Sequence, residues 1–127
     1  MEQLSVFVKN EVGALAEITT SLKEGGFNLR AFSIYDTPDF SILRLITDRP
    51  GEAEAWLRDH GFFCKSSEVL GLPLEDKPGV LNDILIRLRD ADVQVNYMYS
   101  LVIQDSDKPL LVLATDQMAE ARKALGL

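Results

Sequence analysis

The chain repeats itself, and this constrains its architecture more than any other feature, because two copies of one short unit must each build the same order of elements. A shift of 66 positions lays Leu4, Val6 and Val8 over Leu70, Leu72 and Leu74. The same shift sets Asn10 on Asp76, Gly13 on Gly79, Leu15 on Leu81, Ile18 on Ile84 and Leu22 on Leu88. After a two-residue insertion around Gln104 to Pro109 the offset becomes 68, so that Thr47-Asp48 overlays Thr115-Asp116 and Leu57 overlays Leu125. An insertion of that size belongs in a hairpin loop, where extra length costs little closure entropy. The pattern predicts one unit over residues 1–66 and a second over 67–127, each close to the lower size limit for an independently folding domain.

Within a copy the hydrophobic period switches. Leu4, Val6 and Val8 recur every second residue, as a half-buried strand requires, whereas Leu15, Ile18, Thr19 and Leu22 recur at helical spacing. Gly25-Gly26 ends the helix, since glycine takes up the left-handed conformation found just past helix ends. Two strand-like runs follow, Phe27 to Tyr35 and Ser41 to Thr47, joined by the turn-forming Asp36-Thr37-Pro38-Asp39. Pro50 suits a first helical turn, with Asp48 as its expected cap. Ala53, Trp56 and Leu57 form the apolar stripe of this second helix, which ends at Gly61. Phe62 to Ser66 reads as a last strand. The predicted fold class is therefore α+β: two tandem ferredoxin-like βαββαβ units, each an antiparallel sheet with its helices on one face. The 68-residue offset puts the counterpart of Phe62 beyond Leu127, so the second unit is expected to lack its last strand. That leaves its first strand, around Glu68 to Leu74, on an edge, where Pro73 is tolerated because it has no amide to donate.

Composition narrows the partners. Of 127 residues, 46% are hydrophobic and 26% charged, enough to bury a core without a disulfide framework. A formal charge of −7, with no cluster of Lys and Arg, argues against nucleic acid and against an anionic membrane. No apolar run approaches the ~20 residues of a bilayer span, and the opening residues lack the basic-then-apolar order of a secretory signal, so a cytoplasmic location is expected. Cys64, the one cysteine, stands among strand residues as a small buried apolar group.

The same tight turn precedes the first helix of each copy: Lys9-Asn10-Glu11-Val12-Gly13-Ala14-Leu15 and Glu75-Asp76-Lys77-Pro78-Gly79-Val80-Leu81. A glycine there lets the backbone turn sharply, and the unpaired amides of the helix start then form a small anion site suited to a carboxylate. Three residues before each glycine stands a polar side chain, Asn10 or Asp76, able to accept from an ammonium group. Amides for a carboxylate and an oxygen for an ammonium together describe an amino acid.

These residues resemble the opening of an ACT domain, most closely Asp76-Lys77-Pro78-Gly79-Val80-Leu81 and, in the first copy, Asn10-Glu11-Val12-Gly13-Ala14-Leu15. Gly26-Phe27-Asn28-Leu29-Arg30-Ala31 is similar to that family's second-strand opening, where an asparagine commonly contacts the ligand. Asp36 to Arg44 is similar to a stretch of small tandem ACT proteins. The resemblance implies regulation by a bound amino acid, commonly at an interface between ACT units; separately, the residues themselves lead to the expectation of no catalytic residue, metal or cofactor. By position, the first site would comprise Asn10, Val12, Gly13, Ala14, Leu15 and Asn28, and the second Asp76, Pro78, Gly79, Val80, Leu81 and Gln94. Val12 departs from the usual proline, and Gln94 from the usual asparagine.

Catalysis has little support. His60, the single histidine, precedes Gly61 at a helix end, where it caps carbonyls or faces water. Ser66-Ser67 has no base nearby in the pattern, and the pairs Asp90/Asp92 and Asp105/Asp107 fall in turn-like stretches. Tyr97, Met98 and Tyr99 could form a stacking platform, but the acidic charge opposes nucleic acid and favours a packed core or pocket wall. The competing reading is a module that only dimerises or docks onto an amino-acid biosynthetic enzyme.

A homodimer follows from the linker if ACT units join through their second strands. Joining the two copies of one chain that way would leave the last strand of the first and the first strand of the second about 29 Å apart, six strand spacings. Ser66-Ser67 with one neighbour on each side reaches roughly 14 Å. Phe62 to Leu74 should then run as a nearly continuous extended segment. Asn28 to Tyr35 and Val95 to Val102 are the expected seams with another chain.

Overall fold

The computed structural model describes residues 1–102 and 106–127. In chain order the elements are β1 (Glu2–Val8), α1 (Ala14–Glu24), β2 (Leu29–Asp36), β3 (Ser41–Thr47), α2 (Pro50–Asp59) and β4 (Cys64–Glu68). The order then begins again with β5 (Leu70–Pro73), α3 (Val80–Asp90), β6 (Tyr97–Val102), β7 (Pro109–Ala114) and α4 (Met118–Leu125). The chain separates into two compact units, Glu2–Ser67 and Met1 with Glu68–Leu127. The first holds a four-stranded sheet in the order β2-β3-β1-β4, the second a three-stranded sheet in the order β5-β7-β6. This is the tandem ferredoxin-like arrangement, with three strands in the second sheet among the described residues. Among the described residues β5 borders only β7, which places Pro73 on an edge strand. Only Val69 separates β4 from β5.

The change of offset is visible in the elements. Helices α1 and α3 begin 66 residues apart, whereas β3 and β7, and likewise α2 and α4, begin 68 apart. The insertion inferred around Gln104 to Pro109 lies partly outside the described residues.

In the first unit the alternation of β1 sends Leu4, Val6 and Val8 to one face. There they meet Leu43 and Leu45 of β3, Ile18 and Leu22 of α1, and Ala53 and Leu57 of α2. Both helices therefore cover the same face. Cys64 is buried in this core, and burial pushes its thiol pKa up. Trp56 closes the space between the helices, its indole N–H donating to the Ser21 carbonyl at 3.0 Å. It packs edge-on against Phe27, with ring centroids 6.1 Å apart. The second unit buries Leu70, Leu72, Leu111 and Leu113 of its sheet against Leu88 of α3 and Ala121 of α4. Each fully buried leucine contributes about 1.5–3 kcal/mol of hydrophobic stabilisation.

Two details differ from the sequence expectation. Asp48 does not cap α2: Arg49 occupies that position without a side-chain cap, and the Asp48 carboxylate instead accepts from the Asn28 amide at 3.2 Å. The last strand of the first unit starts at Cys64 rather than Phe62, because Gly61 (φ 85°) and the two following residues complete the turn out of α2.

Candidate functional site

The two turns before α1 and α3 have the same backbone geometry. Gly13 (φ 89°, ψ −9°) and Gly79 (φ 88°, ψ −6°) both take the left-handed conformation immediately before the helix, and neither helix has a side-chain cap. A side chain at such a φ is strained, so glycine is required by conformation. Space is not the reason, since a Cβ on either glycine would meet nothing within 4 Å. Ala14 N–H turns back to the Glu11 carbonyl at 3.2 Å, and Val80 N–H to that of Lys77 at 3.5 Å. The next amides, of Leu15 and Ala16 and of Leu81 and Asn82, are the orphan donors of a helix start. Val12 is fully exposed and Leu15 and Leu81 partly so, which leaves apolar surface beside those donors.

The polar residue before each glycine behaves differently in the two copies. Asn10 is tied to the β2–β3 hairpin: its Nδ2 donates to the Thr37 carbonyl at 2.7 Å, and the Ser41 hydroxyl lies 2.6 Å from both Asn10 Oδ1 and Asp36 Oδ1. The same hairpin is closed from within by Thr37, whose hydroxyl donates to the Phe40 carbonyl at 2.6 Å. Asp76 has no side-chain hydrogen bond or ion pair among the described residues. The nearby cations Lys77 and Lys108 pair instead with Glu75, at 3.0 and 3.7 Å.

Asn28 and Gln94 hold equivalent places, and their backbones are pinned in equivalent ways. The Thr47 hydroxyl donates to the Asn28 carbonyl at 2.8 Å, and the Thr115 hydroxyl to the Gln94 carbonyl at 2.7 Å. The Asn28 amide donates to Asp48 Oδ1, and the Gln94 amide to Gln117 Oε1 at 2.9 Å. Burial pushes the Asp48 carboxyl upward. Hydrogen bonds from Thr47 and the Asn28 amide, with the charge of Arg49, outweigh this and hold its pKa below the usual value. Arg49 Nη2 also donates to the Gly26 carbonyl at 2.9 Å, and Gln117 Nε2 makes the corresponding bond to the Asp92 carbonyl at 2.9 Å. Gly26 (φ 75°) and Asp92 (φ 56°) are the left-handed residues of these turns. The aligned Thr47 and Thr115 were the one sequence signal for this strut; the roles of Arg49 and Gln117 had none, because their side chains share no chemistry beyond an N–H donor.

The sheet keeps each predicted site in two halves. β1 and β2 both run antiparallel to β3, on either side of it, so they run parallel to each other and end together. The loop from Asn10 to Leu15 therefore sits at the Asp36 end of β2, where Val8 and Asp36 both face Ser41. Asn28 sits at the other end, where Leu29 faces Thr47. The two ends are about 20 Å apart along β3 at ~3.4 Å per residue. In the second unit Leu74 N–H donates to the Pro109 carbonyl while Asn96 N–H donates to that of Ala114. The loop from Asp76 to Leu81 and Gln94 are thus likewise at opposite ends of β7.

Among the remaining polar candidates, His60 and Asp90 have structural partners. His60 Nδ1 lies 2.7 Å from the Trp56 carbonyl and its ring stacks on the indole, so it caps the end of α2. Ser66 and Ser67 lie within β4. Asp90 pairs with Arg89 at 2.9 Å on the surface, and Asp105 lies outside the described residues. Tyr97 and Tyr99 alternate with Met98 along β6, so the three do not share a face. Among the described residues there is no group of three metal-ligating side chains, and no helix is long and apolar enough to cross a membrane.

Two ferredoxin-like units, each with a left-handed glycine opening its first helix, define a tandem α+β module, and comparison with known proteins gives its family. The family described as an ACT domain pair matches residues 1–126, and the chain belongs to it. Among solved structures, a protein from Bacteroides thetaiotaomicron is 32% identical, with a TM-score of 0.90, over 98% of this chain and 85% of that one. The ligand-free regulatory subunit of aspartate kinase from Thermus thermophilus shares the fold at 15% identity and a TM-score of 0.67. That match covers 98% of this chain and 90% of that one. The corresponding subunit from Thermus flavus is similar at 13% identity and a TM-score of 0.65, with 98% and 90% covered. No curated protein matches the sequence.

Proposed function

We propose that this ACT domain pair binds a small amino acid and acts as a non-catalytic sensor, informing an amino-acid metabolic enzyme, and that it does so as a homodimer. The observation that carries the reading is the duplicated left-handed glycine before an uncapped helix, at Gly13 and Gly79. In each repeat the helix-start amides would hold the carboxylate. Asn10 or Asp76 would face the ammonium, and Val12, Ala14 and Leu15, or Pro78, Val80 and Leu81, would line the side chain. The separation of Asn28 and Gln94 from these loops gives the reading its dimeric form. β2 and β6 are edge strands, and both carry exposed apolar residues: Phe32 and Ile34 on one, Met98 and Val102 on the other. Antiparallel pairing of like edges would bring the Asn28 or Gln94 end of one unit beside the loop end of its neighbour. The regulatory subunits of aspartate kinase that share this fold are consistent with a sensing role.

The test is calorimetry against the twenty amino acids at millimolar concentration, paired with light scattering. Scattering should give twice the chain mass of 14.2 kDa. An amino acid at a hundred times its Kd should raise stability by about 2.7 kcal/mol. Gly79→Ala, whose methyl would project into open space before α3, should weaken that binding. If no amino acid shifts the melting temperature, the sensor reading fails and only assembly or docking is left.

A further inference from the structure

We propose that the sheet face of the first repeat turned away from its helices is a docking surface for a partner protein, one that presents apolar side chains flanked by carboxylates. This deepens the sensor reading, on which it rests only for there being a protein to inform. β1 sends Leu4, Val6 and Val8 into the core, so Phe7 projects from the opposite face. The cross-strand partner of Phe7 is Ile42, and that of Ile42 on its other side is Tyr35, so the three share this face. Phe63 joins them from just before β4, its ring edge-on to Phe7 with centroids 5.1 Å apart, and Phe40 lies against Phe7 at 5.7 Å. The row crosses all four strands, a span of about 14 Å. Its four rings are between 39% and 70% exposed. The uncovered face of an antiparallel sheet ordinarily carries polar residues, and a contiguous apolar patch there marks an interaction site.

The charges beside the row decide its occupant. Alternation from the buried Cys64 puts the exposed Lys65 on this face, and Arg44 shares it, with its guanidinium carbon 6.0 Å from the Tyr35 ring centroid. No strand position on the face carries a carboxylate, although the chain has 20 acidic residues against 13 basic. The acid nearest in sequence, Asp39, belongs to the β2–β3 turn. A second copy laid face to face would bring cations towards cations with no carboxylate to pair them. A nucleic-acid strand needs many phosphate contacts, which two cations on a chain of net charge −7 do not supply. A small ligand needs a concave site, whereas this row lies on an open face. A protein surface with an apolar centre and a few carboxylates at its rim covers the rings and gives Lys65 and Arg44 their counter-charges. The second repeat has Pro73 and Lys108 where the first has Phe7 and Phe40, so the surface belongs to the first repeat.

The experiment titrates the full chain with two amphipathic peptides of about 15 residues, each with Leu and Phe on one helical face and either glutamates or lysines on the other. NMR follows the ring resonances of Phe7, Tyr35, Phe40 and Phe63. The glutamate peptide should bind and shift these rings, and the lysine peptide should bind about tenfold more weakly or not at all. Lys65→Glu should weaken the glutamate peptide by about tenfold and strengthen the lysine peptide, a reversal that apolar adhesion alone does not produce. Lys23→Glu, the same change of net charge on α1, should have little effect on either. Phe63→Ser, at an exposed position, should weaken both peptides and leave the mass from light scattering unchanged. Failure of the glutamate peptide to bind, equal binding of the two peptides, or equal effects of Lys65→Glu and Lys23→Glu overturns the surface. So does a lower mass for Phe63→Ser, which would put a second copy on the face, or a shift of the same rings by oligothymidylate. If the glutamate peptide fails while an amino acid still raises the melting temperature, only the docking surface is lost and the sensor reading stands.

Discussion

The two repeats fold alike but are held together by different chemistry, and the difference shows which parts of the pattern are required. Both need a left-handed residue after the first helix and an N–H donor to hold its carbonyl. The first uses Gly26 and Arg49, the second Asp92 and Gln117. Both pin the start of their second strand through a threonine, Thr47 or Thr115. Elsewhere they diverge. The first repeat adds Trp56 between its helices and a tie from Asn10 to its hairpin. At the aligned positions the second has Ala124 and Asp76, whose side chain has no partner among the described residues. The first repeat is thus more heavily cross-linked, and the second keeps its loop carboxylate accessible.

The largest expected contrast is in the cores. Leu57 is fully buried, whereas its counterpart Leu125 is half-buried in the last turn of α4. Leu57→Ala should cost about 3–4 kcal/mol and Leu125→Ala about 1–2 kcal/mol, measured by urea denaturation followed by far-UV circular dichroism. Equal losses would mean that the two cores are equally well packed.

The loops give a smaller contrast. Asn10→Ala removes the tie to Thr37 and Ser41 and should cost about 1 kcal/mol. Asp76→Ala removes no contact and should change stability by less than about 0.5 kcal/mol. A loss at Asp76 as large as that at Asn10 would remove the distinction between a structural loop and an open one.

The smallest contrast is in acid. Asp48 has a folded pKa below its ordinary value, so its stabilisation is present above about pH 3.9 and is lost as pH falls through the lower folded value. Gln117, which takes its place on Gln94, does not titrate. The protection of the Asn28 amide, relative to its intrinsic exchange rate at each pH, should therefore fall in acid while that of Gln94 does not follow, and Asp48→Asn should remove the difference. Parallel acid sensitivity of both amides would sink this account.

By itself the sequence determined the duplicated architecture, the order of the elements and the places where the helices begin. All of these rest on local signals: a period of two or 3.6, a glycine where φ must be positive, and an offset that moves from 66 to 68. Tertiary structure alone decided what the site residues face. Asn10 reads as an acceptor for an ammonium group, yet its partners Thr37 and Ser41 lie 27 and 31 residues away, beyond the reach of any local pattern. Asn28 and Gly13 read as parts of one site. The parallel course of β1 and β2 on either side of β3 instead sets them at opposite ends of the sheet, because strand order, not spacing along the chain, fixes which loops share an end.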